Sequence, residues 1–196
     1  MIRIALVGDI GSGKSHVARL FGYPVFNADA EVNKLYKKSR TCYKKLKKEL
    51  PNYINSFPIK KNKLSSAVMF NKNNLKKINK VVHPEIRRKM NKFIKRNKNK
   101  KIIVLDIPLL IENKINRKND IIIFVDAKKK EINKRLKKRG NFNHKSVNRL
   151  RKFQLAIEHK KRKSDFIIKN NFKNNSVKKD VKVLIKKILF DARSNS

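Results

Sequence analysis

Residues 4–15 read IALVGDIGSGKS, and this stretch decides the fold. Residues 4–7 form a short apolar run with β-branched side chains, which predicts a buried strand. Residues 8–15 follow the pattern Gly-x-x-x-x-Gly-Lys-Ser, which is the spacing of a phosphate-binding loop, and a helical apolar pattern comes directly after it. The motif thus lies between a strand and a helix, as it requires. A glycine-rich turn that matches by chance is the alternative, and it would not need that context.

The residue types in this loop suit a bound phosphate group. Glycines let the backbone curl so that several N–H groups point at one phosphate, and the helix N-terminus adds a partial positive charge. The Lys14 ammonium can reach the β- and γ-phosphates of a nucleotide, and the Ser15 hydroxyl can bind Mg²⁺. Ser15 is therefore the predicted metal ligand. The predicted nucleotide-binding residues are consecutive: Gly8, Asp9, Ile10, Gly11, Ser12, Gly13, Lys14, Ser15 and His16.

Strands and helices alternate over most of the chain. Continuous apolar runs, which are typical of strands buried on both faces, predict strands at 2–7, 24–27, 102–107, 121–125 and 165–168. Helical apolar spacing predicts helices at 14–21, from 29 onward, at 128–138, around 147–155 and over the C-terminal region. This order predicts an α/β fold, in which a parallel sheet of about five strands has helices on both faces.

Between residues 37 and 101 the pattern is helical and strongly basic, and Pro51 and Pro58 interrupt it. The sequence His83-Pro84-Glu85 predicts the start of a further helix, because proline suits the first helical position. A histidine in such a place is more often a capping or packing residue than a catalyst. The apolar positions in this region are spaced as in a helical core.

Two acids follow predicted strands, at the edge where open α/β sheets bind ligands. Asp29 comes directly after the second strand, and Asp106 lies near the end of the third. Asp29 is a site candidate on this ground, although an acid that caps the next helix or lies in its first turn would have the same position. Asp106 can lie close to Mg²⁺, as a second acid does in enzymes with this loop.

The composition is extreme in charge: 54 Lys and Arg against 14 Asp and Glu give a formal net charge of +40. A polyanion partner would explain it, since lysine–phosphate contacts drive non-specific nucleic-acid binding. The basic residues are dispersed, however, and are not gathered beside aromatic side chains as single-strand binding requires. We therefore favour compositional drift of surface positions toward Lys and Asn, and expect anionic ligands to be attracted at low salt.

Other bulk features limit the class of protein. Cys42 is the single cysteine among 196 residues, which excludes an internal disulfide framework and a cysteine-based metal site. No apolar run reaches membrane-spanning length, and the N-terminal run lacks the layout of a signal peptide. We expect one domain with inserted lobes in a cytoplasmic protein, with no membrane and no specific nucleic acid as partner. We expect a monomer, with weak oligomerisation as the alternative.

Several separated motifs together resemble the dephospho-CoA kinase family over nearly the whole chain. The phosphate-binding loop alone would not discriminate among kinases, but the order and spacing of the other motifs do. The motifs are GDIGSGKS at 8–15, Asn27-Ala28-Asp29, His83-Pro84, Pro108-Leu109-Leu110-x-Glu112, Arg135-Leu136-x-x-Arg139, Gln154, and Ser164-Asp165-x-x-Ile168-x-Asn170.

The resemblance implies a P-loop kinase fold and a reaction. Members of the family transfer the γ-phosphoryl group of ATP, with Mg²⁺, to the ribose 3′-hydroxyl of dephospho-CoA, which is the last step of coenzyme A synthesis. In this sequence Asp29 would receive the hydroxyl proton, and Lys14, Arg135 and Arg139 would surround the transferred phosphate. Asn170 falls where the adenine of ATP docks. For Arg135, a cation on a helix surface is the alternative.

The resemblance also divides the chain. The core would comprise 1–30, 101–134 and 160–196, with an inserted helical acceptor-binding region at 31–100 and a small lid at 135–159. The residues expected to bind dephospho-CoA are Asp29, Lys61, His83, Pro108, Leu109 and Glu112.

This sequence departs from the family pattern at three places. Asp9 stands where the family usually has glycine, and a carboxylate there would repel a nucleotide. We therefore expect its side chain to point outward or toward the acceptor. Asn27 replaces the first acid of the family's Asp-Ala-Asp, which indicates that this position is not the essential base. Lys60-Lys61 replaces the usual Asp-Arg pair, so that Lys61 would take the place of an acceptor-binding arginine.

Two other functions remain open from the sequence. One is a kinase of the same fold for another small-molecule acceptor, against which the motifs at 83–84 and 108–112 argue. The other is a basic nucleic-acid-binding protein with a vestigial phosphate-binding loop. Its support is the net charge, but the aromatic side chains lie mostly at inward positions and no recognised RNA- or DNA-binding motif occurs.

Overall fold

The computed structural model describes residues 1–138, 147, 151 and 154–194. The helix predicted around 147–155 lies almost entirely outside these residues. The strands are β1 Ile2–Gly8, β2 Val25–Asn27, β3 Ile102–Asp106, β4 Ile121–Asp126 and β5 Phe166–Lys169. The helices are α1 Lys14–Leu20, α2 Ala28–Lys38, α3 Arg40–Glu49, α4 Lys61–Phe70, α5 Asn73–Arg96, α6 Lys129–Lys137, α7 Ile157–Arg162 and α8 Asn174–Ser194.

The five strands form one sheet in the order β2-β3-β1-β4-β5. Every pairing is parallel, so the carboxyl ends of all strands lie at one edge. The central strand β1 has β3 on one side and β4 on the other, which makes its carboxyl end the point where chain connections diverge. Ligands bind at such a point in open α/β sheets. The predicted α/β fold with five parallel strands is confirmed.

By internal packing the chain divides into two compact units, Met1–Asn27 with Asn99–Ser196, and Ala28–Lys98. The first unit contains the sheet. Apolar side chains of the sheet pack with those of α1 and α8, and the most deeply buried members of this core are Ile4, Leu6, Val17, Ala18, Ile102, Val104, Ile123, Val125, Val177 and Val181. Burial on both faces explains the continuous apolar runs of the strands.

The second unit consists of α2, α3, α4 and α5 around an apolar core whose central members are Leu35, Cys42, Leu46, Ile54, Leu64, Ala67, Ile78 and Val81. The interruption predicted at Pro51 and Pro58 is confirmed, since both lie between α3 and α4.

The prediction that Pro84 begins a helix is wrong. Pro84 lies inside α5, a continuous helix of 24 residues. Proline removes one backbone hydrogen bond from a helix interior, which normally breaks or bends it. Here α5 buries Val81 and Val82 before the proline and Met90 after it. Apolar contacts on both sides of Pro84 therefore hold the helix together across the missing hydrogen bond.

The two longest helices are strongly basic outside their buried stripes. α5 carries buried residues on one face only, and α8 buries Val177, Val181 and Ile188 while its intervening positions are mostly lysine. Within the part of the chain that the structure describes, no helix combines the length and the apolarity needed to cross a membrane.

Candidate active site

The phosphate-binding motif forms a tight loop between β1 and α1. Gly11 and Gly13 have φ angles of 86° and 89°, which side chains other than glycine rarely adopt. The Ser12 amide donates to the carbonyl of Asp9 (3.2 Å), and the Val17 amide donates to the carbonyl of Gly13 (3.0 Å). The loop therefore curls back on itself immediately before α1, in the strand–loop–helix context that the motif requires.

Neighbouring elements approach the loop so closely that a side chain would collide at its glycines. A Cβ atom on Gly8 would lie 2.7 Å from the carbonyl oxygen of Val125 in β4. A Cβ atom on Gly13 would overlap the Asn170 amide nitrogen and lie 3.2 Å from Phe172. The loop is thus a backbone cradle held between β4 and the turn after β5, and its residues fit a phosphate group.

Lys14 places its ammonium over this cradle. Its Nζ donates to the carbonyl oxygens of Gly8 (3.2 Å) and Asp9 (2.8 Å). A lysine folded back onto its own loop puts a positive charge where this motif binds phosphate. An incoming phosphate would compete for the ammonium with these two neutral carbonyls.

A second polar cluster lies at the carboxyl ends of β2 and β3. Asn27 is paired in register with Asp106, and its amide Nδ2 donates to the Asp106 carboxylate and to the Ser15 hydroxyl (3.4 Å). Asp106 is almost fully buried. A hydroxyl and a carboxylate that meet at one amide are oxygen ligands of the kind Mg²⁺ prefers, and Mg²⁺ commonly takes only one or two ligands from the protein. The residues present therefore fit Mg²⁺.

Among the described residues, no group of three or more His, Cys, Asp or Glu side chains converges as a metal site. A transition-metal centre built of several such ligands is therefore not found in that part of the chain, whereas a site built of Ser15, Asp106 and water needs only one such side chain.

Asn170 fastens the phosphate-binding loop from the turn after β5. It is 3% exposed, and its Nδ2 donates to the carbonyl of Ser12 (2.8 Å) while its Oδ1 accepts from the Phe172 amide (2.9 Å). The sequence predicts Asn170 at the adenine of ATP, and that role stays a prediction. The structural role was missed because Ser12 and Asn170 are 158 positions apart, and no local signal links them.

Arg135 lies on the exposed side of α6, and its guanidinium carbon is 4.5 Å from the centre of the Phe172 ring. This cation–π contact joins α6 to the turn that carries Asn170. Contact between Arg135 and phosphate stays a prediction. Arg139, the other predicted lid arginine, lies outside the described residues.

The Asp9 side chain is buried and does not point outward, which was one of the two directions expected from the sequence. It is 7% exposed, and its Oδ1 accepts a hydrogen bond from the Ile10 amide (2.7 Å). Its Oδ2 accepts from Nη2 of Arg151 at 3.1 Å, and Oδ1 lies 3.4 Å from Arg151 Nε. The outward form of the expectation is wrong because it considered the carboxylate alone, whereas an arginine far along the chain supplies the opposite charge. The other form, a side chain that points toward the acceptor, stays a prediction.

Glu112 lies in the segment after β3 and is engaged by a buried lysine. Glu112 Oε1 accepts from Lys160 Nζ (2.9 Å) and from the Leu155 amide (3.0 Å), and Lys160 also donates to Gln154 Oε1 (3.0 Å). Burial raises the pKa of Glu112, but hydrogen bonds from Lys160 and from backbone amides outweigh it and lower the pKa. Lys160 is 3% exposed. It could not be identified from the sequence, because nothing there distinguishes it from the many surface lysines.

Pro108 and Leu109 form a turn next to Asp106. Leu109 has a φ of 57°, an uncommon conformation for a branched side chain, and its carbonyl accepts from the Asn113 amide (3.0 Å). Strained backbone of this kind is concentrated at ligand sites. The turn lies at the carboxyl edge of the sheet, and binding of an acceptor by Pro108, Leu109 or Glu112 stays a prediction.

The other predicted acceptor residues belong to the second unit. Asp29 lies exposed in the first turn of α2, which begins directly after Asn27. Lys61 is the exposed first residue of α4. His83 lies in α5, where burial and the neighbouring charge of Arg87 lower its pKa. Their predicted roles stay predictions.

Comparisons with known proteins agree on one family. The family model described as dephospho-CoA kinase matches residues 2–176. The dephospho-CoA kinase of Wolbachia pipientis wMel is 35% identical over 187 residues, covering 93% of this chain and 95% of the relative. That of Bartonella henselae is 32% identical over 191 residues, covering 95% and 97%.

Solved structures agree in fold. The structure of TT1252 from Thermus thermophilus has a TM-score of 0.78 at 26% identity, covering 95% of this chain and 97% of that one. The dephospho-CoA kinase from Campylobacter jejuni has a TM-score of 0.64 at 23% identity, covering 95% and 96%, and shows the same fold. Since the family model spans most of the sequence and full-length relatives exceed 30% identity, the chain belongs to the dephospho-CoA kinase family.

Proposed function

We propose that this protein transfers the γ-phosphoryl group of ATP to the ribose 3′-hydroxyl of dephospho-CoA, giving CoA and ADP in the final step of coenzyme A synthesis. The observation that carries the proposal is the cradle at residues 8–15, with the Lys14 ammonium folded over it, in a chain that belongs to this family. Phosphoryl transfer requires mainly positioning and charge stabilisation, and this cradle supplies both.

The triphosphate is held by the first unit. Backbone N–H groups of the loop bind phosphate oxygens, and Lys14 moves from the carbonyls of Gly8 and Asp9 to the β- and γ-phosphates. Ser15 and Asp106 would hold Mg²⁺, which neutralises charge on the phosphates when it is bound. The support for this metal site is the amide of Asn27, which contacts both oxygen ligands.

Asp29 is the base that we assign to the acceptor hydroxyl. Its Cα lies within about 7 Å of that of Asn27, because two trans peptide units span no more than this. The 3′-oxygen attacks the γ-phosphorus, the bond from that phosphorus to the β,γ-bridging oxygen breaks, and the hydroxyl proton passes to the Asp29 carboxylate. A carboxylate so placed both orients the hydroxyl and takes its proton in the transition state.

The remaining roles follow from the family. We assign binding of dephospho-CoA to the unit Ala28–Lys98, including Lys61 and His83, and to the turn at 108–112. Arg135 and Arg139 serve as phosphate-binding cations at the start of the lid, which we place at 135–159. Guanidinium groups suit this task because they bind phosphate oxygens in pairs. Asn170 keeps its contact with Ser12 while the adenine docks at its turn.

We also infer that the protein works as a monomer in the cytoplasm. A reducing compartment suits Cys42, which is buried and whose pKa burial and the nearby Glu85 raise to about 11, so that it stays a neutral thiol. Light scattering coupled to size-exclusion chromatography tests the monomer, and a mass of two or more chains would contradict it.

The decisive experiment offers ATP with several acceptors and compares wild type with Asp29→Asn. We expect phosphate on dephospho-CoA alone. In Asp29→Asn, kcat should fall by about 10²–10⁴-fold while KM for ATP stays within about threefold. Glu131→Gln is the matched control, since it removes one carboxylate from the first turn of α6 and should leave kcat unchanged.

Three outcomes of this experiment would contradict the proposal. Phosphorylation of another alcohol in preference to dephospho-CoA would leave only the fold-level assignment. An unchanged kcat in Asp29→Asn would remove Asp29 from the base role. Sequence-selective DNA or RNA binding that persists at physiological salt, together with no kinase activity, would favour the nucleic-acid alternative that the net charge of +40 keeps open.

A further inference from the structure

Asp9 places a negative charge inside the loop that we propose to hold a triphosphate. The carboxylate is 7% exposed, so water screens it poorly, and its Oδ1 is already fixed by the Ile10 amide at 2.7 Å. A like charge buried beside phosphates weakens their binding, because two negative charges repel more strongly where water is excluded. The loop therefore needs a compensating cation that is specific to this chain.

Arg151 supplies that cation. Its Nη2 donates to Asp9 Oδ2 at 3.1 Å and its Nε lies 3.4 Å from Oδ1, which is the two-pronged geometry in which guanidinium and carboxylate pair best. The side-chain pair is completed by the close approach of Arg151 Nη2 to Asp9 Oδ2, while the Arg151 carbonyl accepts from the Gln154 amide at 2.9 Å. The arginine comes from a position 142 residues away, so folding is needed to bring the pair together.

The same loop residue also contacts the second cation of the cradle. The Asp9 carbonyl accepts from Lys14 Nζ at 2.8 Å, while the Asp9 carboxylate accepts from Arg151. The Lys14 ammonium and the Arg151 guanidinium thus lie within about 10 Å of each other, given the reach of one aspartate and two hydrogen bonds. With both cations in place, the net charge around the Asp9 carboxylate is positive. Without Arg151, the carboxylate would draw on Lys14, the cation that the phosphates need.

We propose that Arg151 is a positioning residue for nucleotide binding: by pairing with Asp9 it neutralises the carboxylate in the phosphate-binding loop, so that this carboxylate does not compete with the triphosphate for Lys14. The inference rests on the proposed binding of ATP to this loop, but not on the identity of the acceptor. It explains how an aspartate is tolerated where the family usually has glycine, since the pair acts as one unit.

The test measures binding of Mg·ATP alone, by calorimetry, without an acceptor. Arg151→Met should weaken the affinity by about 50- to 100-fold, the order expected for an unpaired unit charge about 6–7 Å from a unit charge on phosphate at an effective dielectric constant of about 20. Arg162→Met is the matched control, because it removes one exposed positive charge from the end of α7 and should change the affinity by less than about twofold. Thermal unfolding checks that each variant is folded.

Two further variants decide between charge balance and simple packing. The double variant Asp9→Gly with Arg151→Met removes both charges and should bind at least about tenfold better than Arg151→Met alone, and Arg151→Lys should keep an intermediate affinity. A double variant as weak as Arg151→Met, or an Arg151→Met affinity equal to that of Arg162→Met, would overturn the inference. An affinity that rises in Arg151→Met would do so as well, because the pair would then obstruct the nucleotide. Failure of the wild type to bind ATP would refute the proposed function itself.

Discussion

The two compact units differ in what they bury. In the described residues of the sheet unit, the buried polar side chains include Arg3, Asp9, Asp106, Asp120, Lys160 and Asn170, whereas the helical unit buries Asn74. Acids of the helical unit instead pair at its surface, as Glu85 does with Arg88. Buried polar groups must be satisfied in one fixed geometry, while surface pairs tolerate change. The sheet unit is therefore built to hold charge in place, and the helical unit is built around an apolar core.

The contrast between the two units predicts its largest effect at Lys14, in the sheet unit. Lys14→Met should lower kcat by on the order of 10⁴-fold, the scale expected for a cation that stabilises a transferring phosphoryl group. The melting temperature should stay within about 3 °C, because the carbonyls of Gly8 and Asp9, to which Nζ donates, belong to the same short loop. CoA formation and thermal unfolding measure the two quantities.

The matched control for that variant is Lys182→Met, an exposed lysine on α8. It removes the same charge from a chain of net charge +40 and should retain wild-type kcat. A comparable loss in both variants would mean that overall charge, and not the loop, sets the rate.

The next largest effect is expected from breaking one ion pair in each unit. Arg3 and Asp120 form a buried pair in the sheet unit, with Nε–Oδ1 at 2.9 Å and Nη2–Oδ2 at 3.0 Å. Asp120→Ala leaves a guanidinium buried without its partner and should lower the free energy of unfolding by about 3–5 kcal/mol. Arg88→Ala, which breaks an exposed pair with Glu85 in the helical unit, should lower it by at most about 0.5 kcal/mol. Urea unfolding of both variants measures the difference, and equal losses would remove the distinction between the units.

The smallest expected effect is the pH dependence of the helical unit. Burial, with a contribution from Arg87, lowers the pKa of His83 below its ordinary 6.5. The unfolded chain then binds a proton before the folded chain does, so that stability falls as the pH drops below about 6.5. His83→Gln should remove this part of the loss, which we expect to be no more than about 3 °C in melting temperature between pH 7.5 and 5.5. If the melting temperatures of the wild type and of His83→Gln fell by the same amount between pH 7.5 and 5.5, this prediction would be refuted.

Much of the sheet unit could be predicted from the sequence because its signals are local. Runs of Ile and Val identify β3 and β4, and the loop motif identifies its own strand and helix. The parallel order of the strands follows from their alternation with helices. The positions of Asn27 and Asp106 at one edge of the sheet follow in turn from that order.

The contacts that complete the site could not be predicted in this way. Asn170 reaches Ser12, and Arg151 reaches Asp9, across more than 140 positions of a chain in which basic and amide side chains are common everywhere. A residue type that occurs at so many positions carries little information about any one of them. Pro84 shows a local rule failing for a related reason, since packing on both sides of it outweighs the loss of one helix hydrogen bond.

A crystal structure with ADP, Mg²⁺ and dephospho-CoA would test the central claim most directly. The account predicts phosphates within hydrogen-bond distance of Lys14 Nζ and the backbone of residues 8–15, and the Asp29 carboxylate within about 3 Å of the ribose 3′-hydroxyl. An acceptor bound with that hydroxyl farther from Asp29 than the width of a sugar ring, while the phosphates occupy the loop, would contradict it.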